Sequence, residues 1–151
     1  MEAYNISKHR SFYIIGISYK KADAGLRGKF SLDETAKNAL LDQAQSAGID
    51  GILVTSTCNR TEIYGFAQHP FQLIQLLCGN SNGTVDEFQQ IGYVYKNNEA
   101  ISHLFRVGTG LDSQILGDFE IISQIKQSFI ASKARNLTNH FLERLCNCVI
   151  Q

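Results

Sequence analysis

The sequence predicts an α+β fold in which helices pack on a four-stranded antiparallel sheet, and three features carry that prediction. Short runs rich in β-branched and aromatic residues alternate with segments of helical period, two of the runs are separated by only a few residues, and the order of segments is β-α-β-β-α-β. The chain has 151 residues, 44% of them apolar, with one proline and 12 glycines. Such a composition suits one globular domain with its own core and excludes disordered, collagenous and repeat architectures.

The first strand is Phe12-Tyr13-Ile14-Ile15-Gly16-Ile17-Ser18, too short and too β-branched for a helix. The basic stretch from Tyr19 to Lys29 has no period and reads as a loop. Ser31-Leu32-Asp33-Glu34 has capping-box form and opens a helix whose apolar face is Leu32, Ala36, Ala39, Leu40 and Ala47, with Gly48 as its stop. Gly51–Ser56 and Thr61–Ala67 are the next two strands, and the tight link around Cys58 to Arg60 makes them antiparallel. Phe71–Cys78 reads as the second helix, Gly79–Thr84 as a turn, and Ile91–Tyr95 as the last strand. This is the ferredoxin-like split βαβ pattern, with two helices covering one face of the sheet.

Three more helices are expected beyond the sheet. One runs from about Asn98 to Val107 with Ile101, Leu104 and Phe105 as its stripe, and one from about Asp118 to Ser132 with Ile121, Ile122, Ile125 and Phe129 on one side. In the last, from about residue 136 to 151, Leu137, Phe141, Leu145 and Val149 continue an i, i+4 series to Gln151 without a stop signal. That reading makes residues 1–151 the front of a longer protein, cut within a linker helix.

Fourteen basic and fourteen acidic side chains balance, but they are segregated. Residues 1–30 hold six basic and two acidic groups, residues 31–120 four and eleven, and residues 121–151 four and one. Basic ends can bring phosphates to one side of the domain, although a solvated mixture of charges is the plainer reading; a strong nonspecific nucleic-acid binder is disfavoured. No apolar run approaches the ~18 residues of a membrane span, no secretory signal opens the chain, and the expected location is cytoplasmic. The four cysteines lack paired spacing, so neither a disulfide scaffold nor a metal site is expected; Cys146-x-Cys148 near His140 is too close for a usual zinc set.

Cys58 is the first candidate for chemistry. It sits in Thr55-Ser56-Thr57-Cys58-Asn59-Arg60-Thr61-Glu62, where hydroxyls, an amide and a guanidinium crowd one turn, and Arg60 can favour a thiolate. The plain alternative is a small, half-buried cysteine at a strand end. His103 is the second: with Ile101, Leu104 and Phe105 inward, a step of about 100° per residue turns it away from the core, toward solvent or a cleft where it can transfer protons. The Gly108–Asp118 connection has half a dinucleotide fingerprint but follows a helix, so it reads as a polar wall supplying Ser113 and carboxylates, not as a nicotinamide site.

The run Ser56–Glu62, together with His103–Val107, Gly110–Asp118, the opening Gly16–Lys20 and the later Gln124-Ile125-Lys126, closely resembles the glutamyl-tRNA reductase family. By that resemblance the chain is the N-terminal catalytic domain, and the family's NADPH-binding and dimerisation domains lie outside this sequence. The resemblance implies that Cys58 attacks the glutamyl ester of tRNA to give a thioester, which NADPH reduces to glutamate-1-semialdehyde for tetrapyrrole (porphyrin) biosynthesis. It implies a pocket of Thr57, Asn59, Arg60, Ser113, Asp118, Phe119, Glu120 and Gln124, with Arg60 for the substrate carboxylate. It also gives His103 a part in activity, either proton transfer or substrate positioning, and makes the whole protein a homodimer. Asp118-Phe119-Glu120 departs from the family's usual Glu-Pro-Gln, and an extra anion there would oppose a carboxylate substrate. A noncatalytic ferredoxin-like RNA-binding or regulatory module and an unrelated cysteine hydrolase are the alternatives. The basic segment from Lys20 to Lys29 is a candidate phosphate contact.

Overall fold

The computed structural model describes residues 10–109 and 120–150, without the side chain of Glu120. Among these residues run β1 (Ser11–Ser18), α1 (Ala24–Phe30), α2 (Glu34–Ser46), β2 (Ile52–Ser56), β3 (Arg60–Ala67), α3 (Pro70–Gly79), α4 (Val85–Ile91), β4 (Tyr93–Lys96), α5 (Asn98–Gly108), α6 (Glu120–Ala134) and α7 (His140–Ile150). The sheet order is β2-β3-β1-β4 with every neighbouring pair antiparallel, which is the predicted split βαβ topology. No described helix is long and apolar enough to cross a membrane.

Strand alternation divides the core into two layers. Tyr13, Ile15, Ile17, Ile52, Val54 and Ile63 face Phe30, Leu40, Leu73, Leu77 and Phe88 of α1 to α4. Phe12, Ile14, Leu53 and Tyr64 face Ala100, Leu104, Val107, Ile125, Leu142 and Cys146 of α5 to α7. Each fully buried leucine or isoleucine contributes about 1.5–3 kcal/mol, so both faces of the sheet are needed for stability. The C-terminal helices are therefore the second cover of the sheet.

Several local readings are corrected. The stretch read as a loop contains α1, whose two glycines mask it; Asp23 caps it by accepting from Leu26 N at 2.8 Å, and Phe30 anchors it in the core. Asp33, not Ser31, caps α2, accepting from Ala36 N at 2.8 Å. Ser31 donates instead to Gly28 O at the end of α1, and the face of α2 is Leu40, Leu41 and Ala44 rather than one including Ala47. A capping box of Thr84 and Glu87 starts α4, which takes Ile91 out of the last strand and leaves β4 to begin at Tyr93. Likewise, His69 and Gln72 form a capping box for α3. In α7 the inward side chains are Leu142, Leu145, Cys146 and Val149, while Phe141 is exposed and Leu137, though buried, precedes the helix.

The corrected cap gives a direct expectation. Asp33→Ala loses about 1 kcal/mol of stability in urea denaturation and Ser31→Ala loses less; a larger loss at Ser31 would return the cap to that residue.

Candidate active site

The link between β2 and β3 is a three-residue turn with Cys58 exposed at its tip. Thr57 closes it: its backbone N–H donates to Arg60 O at 2.8 Å, and its hydroxyl oxygen accepts from Asn59 N and Arg60 N at 3.2 and 3.3 Å. That hydroxyl still has its own hydrogen to donate. Two other segments brace the turn. Tyr19 N donates to Asn59 O at 2.9 Å, and the Arg27 guanidinium bridges Cys58 O at 3.0 Å and Ala22 O at 2.7 Å. The cation at the cysteine carbonyl is thus Arg27, from the unpredicted helix α1. Arg60 is directed elsewhere, being 2% exposed with Nη1 3.7 Å from Glu62 Oε2 and its guanidinium 6.0 Å from the Tyr19 ring centre.

Alternation along β3 puts Arg60, Glu62 and Tyr64 on the face covered by α5 to α7. Glu62 is wholly buried, and its oxygens are surrounded by donors. Tyr64 Oη lies 2.7 Å from Oε1, and Tyr93 Oη and His103 Nε2 each lie 2.5 Å from Oε2. Burial alone would push this carboxyl up; the hydrogen bond and charge of His103, the charge of Arg60 and the hydroxyl of Tyr93 outweigh it and hold the carboxyl below its ordinary value. Glu62 is therefore an ionised acceptor, and every neighbour must donate to it. Tyr64 and Tyr93 are pushed well up, first by burial and then by the negative charge of Glu62, so both phenols keep their hydrogens. Tyr64 Oη, donating to Glu62, accepts from Thr55 Oγ1 at 3.3 Å.

His103 is a correction. It is 2% exposed and faces inward, while Phe105, assigned to the core stripe, is 38% exposed. The buried series on α5 is Ala100, His103, Leu104, Val107 and Gly108, with helical spacing of three and four. The sequence reading set the helix about one position out of phase because it placed the larger aromatic inside. A buried carboxylate on the facing strand makes the inward imidazole stable.

Of the residues named from sequence, the structure places Thr57, Cys58 and Asn59 on the turn and Arg60 at the start of β3, and joins His103 to Arg60 through Glu62. Gln124 lies on α6, accepting from Lys37 Nζ at 2.9 Å at a cavity of about 310 Å³ whose walls include Glu34, Val54, Ser128 and Ser132; Cys58 does not line it. Ser113, Asp118 and Phe119, with the side chain of Glu120, lie outside the described residues. Glu62, Tyr93 and Arg27 were missed as site residues. A carboxylate within a strand, next to Ile63 and two places from an arginine, was the available signal for the first. Lys20 and Lys21 are exposed next to Tyr19, whereas Lys29 is ion-paired to Glu87 at 2.7 Å.

An antiparallel α+β domain with an exposed thiol on a braced turn above a buried ionic cluster now stands beside what resembles it. Residues 15–151 match the family described as glutamyl-tRNAGlu reductase, N-terminal domain. The chain is 70% identical over 151 residues to a glutamyl-tRNA reductase of Flavobacterium psychrophilum and 69% identical to one of Christiangramia forsetii, covering all of this chain and 37% and 36% of those proteins. The solved glutamyl-tRNA reductase from Methanopyrus kandleri superposes with a TM-score of 0.75 at 26% identity, over 92% of this chain and 32% of that one. The chain belongs to the glutamyl-tRNA reductase family, as its N-terminal domain. It spans about a third of the length of the relatives it matches.

Two expectations follow from the electrostatics. A carboxylate held below its unfolded value contributes stability that is complete above that value, 4.5, and is lost as pH falls through the lower folded one. Melting curves between neutral and acid pH therefore show a steeper acid loss for the parent chain than for Glu62→Gln; parallel curves would mean that Glu62 is not ionised in the fold. Under limiting alkylation Cys58 reacts first and exposed Cys148 next. Cys78, whose thiol burial and Glu87 push up, follows, and Cys146, buried and pushed up to about 11, is last. Equal rates at all four would deny the ranking.

Proposed function

We propose that this chain is the acyl-transferring part of a glutamyl-tRNA reductase. Cys58 Sγ attacks the carbonyl carbon of the ester that joins glutamate to the terminal ribose of its tRNA. The C–O bond breaks, the ribose oxygen leaves as a free hydroxyl carrying a proton equivalent to the one the thiol gives up, and the glutamyl group remains on sulfur as a thioester. The observation that carries this reading is the placement of Cys58, exposed at the tip of a turn that Thr57, Tyr19 and Arg27 hold by hydrogen bonds. Arg60, two places on in sequence, would receive the glutamyl side-chain carboxylate, and Thr57 and Asn59 would give polar contacts to the aminoacyl group, whereas Gln124 faces a cavity that Cys58 does not line. Exposed Lys20 and Lys21, next to the turn, suit the phosphates of the tRNA acceptor end.

The described residues do not fit NADPH. Every strand pair is antiparallel, so the sheet offers no parallel βαβ crevice for a dinucleotide, and the three-helix cover closes its second face. Reduction by NADPH, and dimerisation, belong in this reading to parts of the whole protein outside this chain. With water as the only other acceptor, the chain by itself would be a slow esterase. A noncatalytic RNA-binding module is not favoured: helices cover both faces of the sheet, which leaves no open aromatic sheet face for bases among the described residues.

Glutamyl-tRNA labelled in the amino acid tests the reading. After an acid quench the label is expected on the protein, released by hydroxylamine as a thioester is, and absent from Cys58→Ser. Label that persists in that variant, or never appears on the parent chain, would reject it.

A further inference from the structure

Glu62 on β3, Gly16 on β1 and Tyr93 on β4 form one row across three strands, because Gly16 is registered with both neighbours. A side chain on the middle strand would block the row. A Cβ at Gly16 would stand 2.5 Å from Thr61 O and 2.8 Å from Glu62 Cγ. Through the gap, the Tyr93 hydroxyl crosses β1 to reach Glu62 Oε2 at 2.5 Å. From α5 above, His103 Nε2 meets the same oxygen at 2.5 Å, its ring stacked on Tyr95 at 4.6 Å and 5.3 Å from the ring of Tyr93. Arg60 Nη1 stands off at 3.7 Å, beyond hydrogen-bond distance from that oxygen.

An ionised carboxylate accepts only, so the hydrogen of the His103–Glu62 contact is on Nε2. Nδ1 is buried and makes no hydrogen bond among the described residues. An imidazole so enclosed is committed to Glu62. Its bond, with those of the two tyrosines, occupies the carboxylate with short-range donors, and Arg60 Nη1 faces the same oxygen at ion-pair distance.

We propose that Tyr93, reaching through the gap at Gly16, and His103 are positioning residues that fix the Glu62 carboxylate and, through it, the Arg60 guanidinium that receives the substrate carboxylate. This rests on the reading of Arg60 given under the proposed function. His103 contributes a hydrogen-bond donor to Glu62 and exchanges no proton with substrate.

Single-turnover acylation of the parent chain and its variants tests this, using glutamyl-tRNA and the same tRNA charged with glutamine. Tyr93→Phe is expected to raise the half-saturating concentration of glutamyl-tRNA about tenfold, with a maximal rate within about twofold, and to reduce the preference for glutamate by a similar factor. His103→Gln, which keeps a donor toward Glu62 but cannot shuttle a proton, is expected to lose less than about tenfold, and His103→Leu more than about a hundredfold. The ¹⁵N signals of His103 are expected to show a hydrogen on Nε2. Each variant is first checked for a parent-like fold by circular dichroism. The proposal is overturned if His103→Gln abolishes the maximal rate with saturation unchanged, if Tyr93→Phe behaves as the parent, or if Nε2 carries no hydrogen. A parent chain that takes no label rejects the acyl-transfer reading instead, and the ¹⁵N signals, measured without tRNA, still decide the state of His103.

Discussion

A carboxylate with no solvent exposure, set between a sheet and a layer of helices, stays ionised only where donors replace the water it has lost. At Glu62 those donors come from three elements: Tyr64 on its own strand, Tyr93 from β4 across the sheet, and His103 from α5. Much of the local architecture follows from that requirement. The glycine at 16 keeps the middle strand clear, the inward phase of α5 is set by an imidazole that has a partner, and Arg60 can be buried because a negative charge lies close by. Removing one partner of such a buried ionic group costs about 3–5 kcal/mol, enough to threaten a domain of this size.

The same cluster ties the fold to the site. Strand β3 starts at Arg60, directly after the turn that carries Cys58, so whatever fixes the first residues of β3 also fixes the turn. Thr57 pins it from within, Arg27 and Tyr19 from the side, and the Glu62 cluster from beneath. The exposed thiol is thereby carried on hydrogen-bonded supports while remaining open to solvent. The acyl transfer proposed for it asks for that combination, since proximity and orientation supply much of the rate.

The topology was legible in the sequence because it rests on local signals. Short apolar runs rich in β-branched and aromatic residues, one link too short for anything but a hairpin, and segments of helical period specify β-α-β-β-α-β without knowledge of what each strand touches. Short helices were not legible. Helix α1 is seven residues with two glycines, held by an Asp23 cap and the burial of Phe30, and α4 took Ile91, which strand propensity had claimed. In the site, Cys58 and its sequence neighbours could be read because they are contiguous. Glu62, Tyr93 and Gly16 could not, since their relation exists only once register is fixed across three strands. His103 was misplaced for a related reason: hydrophobic ranking put Phe105 inside, and only the carboxylate on a distant strand shows why a polar ring took the place.

The charge state of Glu62 can be read directly. With glutamate side chains labelled by ¹³C at the carboxyl carbon, and the Glu62 signal assigned by its loss in Glu62→Gln, the titration of that one carbon reports when it gains a proton. The account predicts a carboxylate signal that persists below the pH at which the exposed glutamates titrate. A signal already that of a neutral acid near pH 7 would contradict it, because Arg60 and His103 would then have no anion to face.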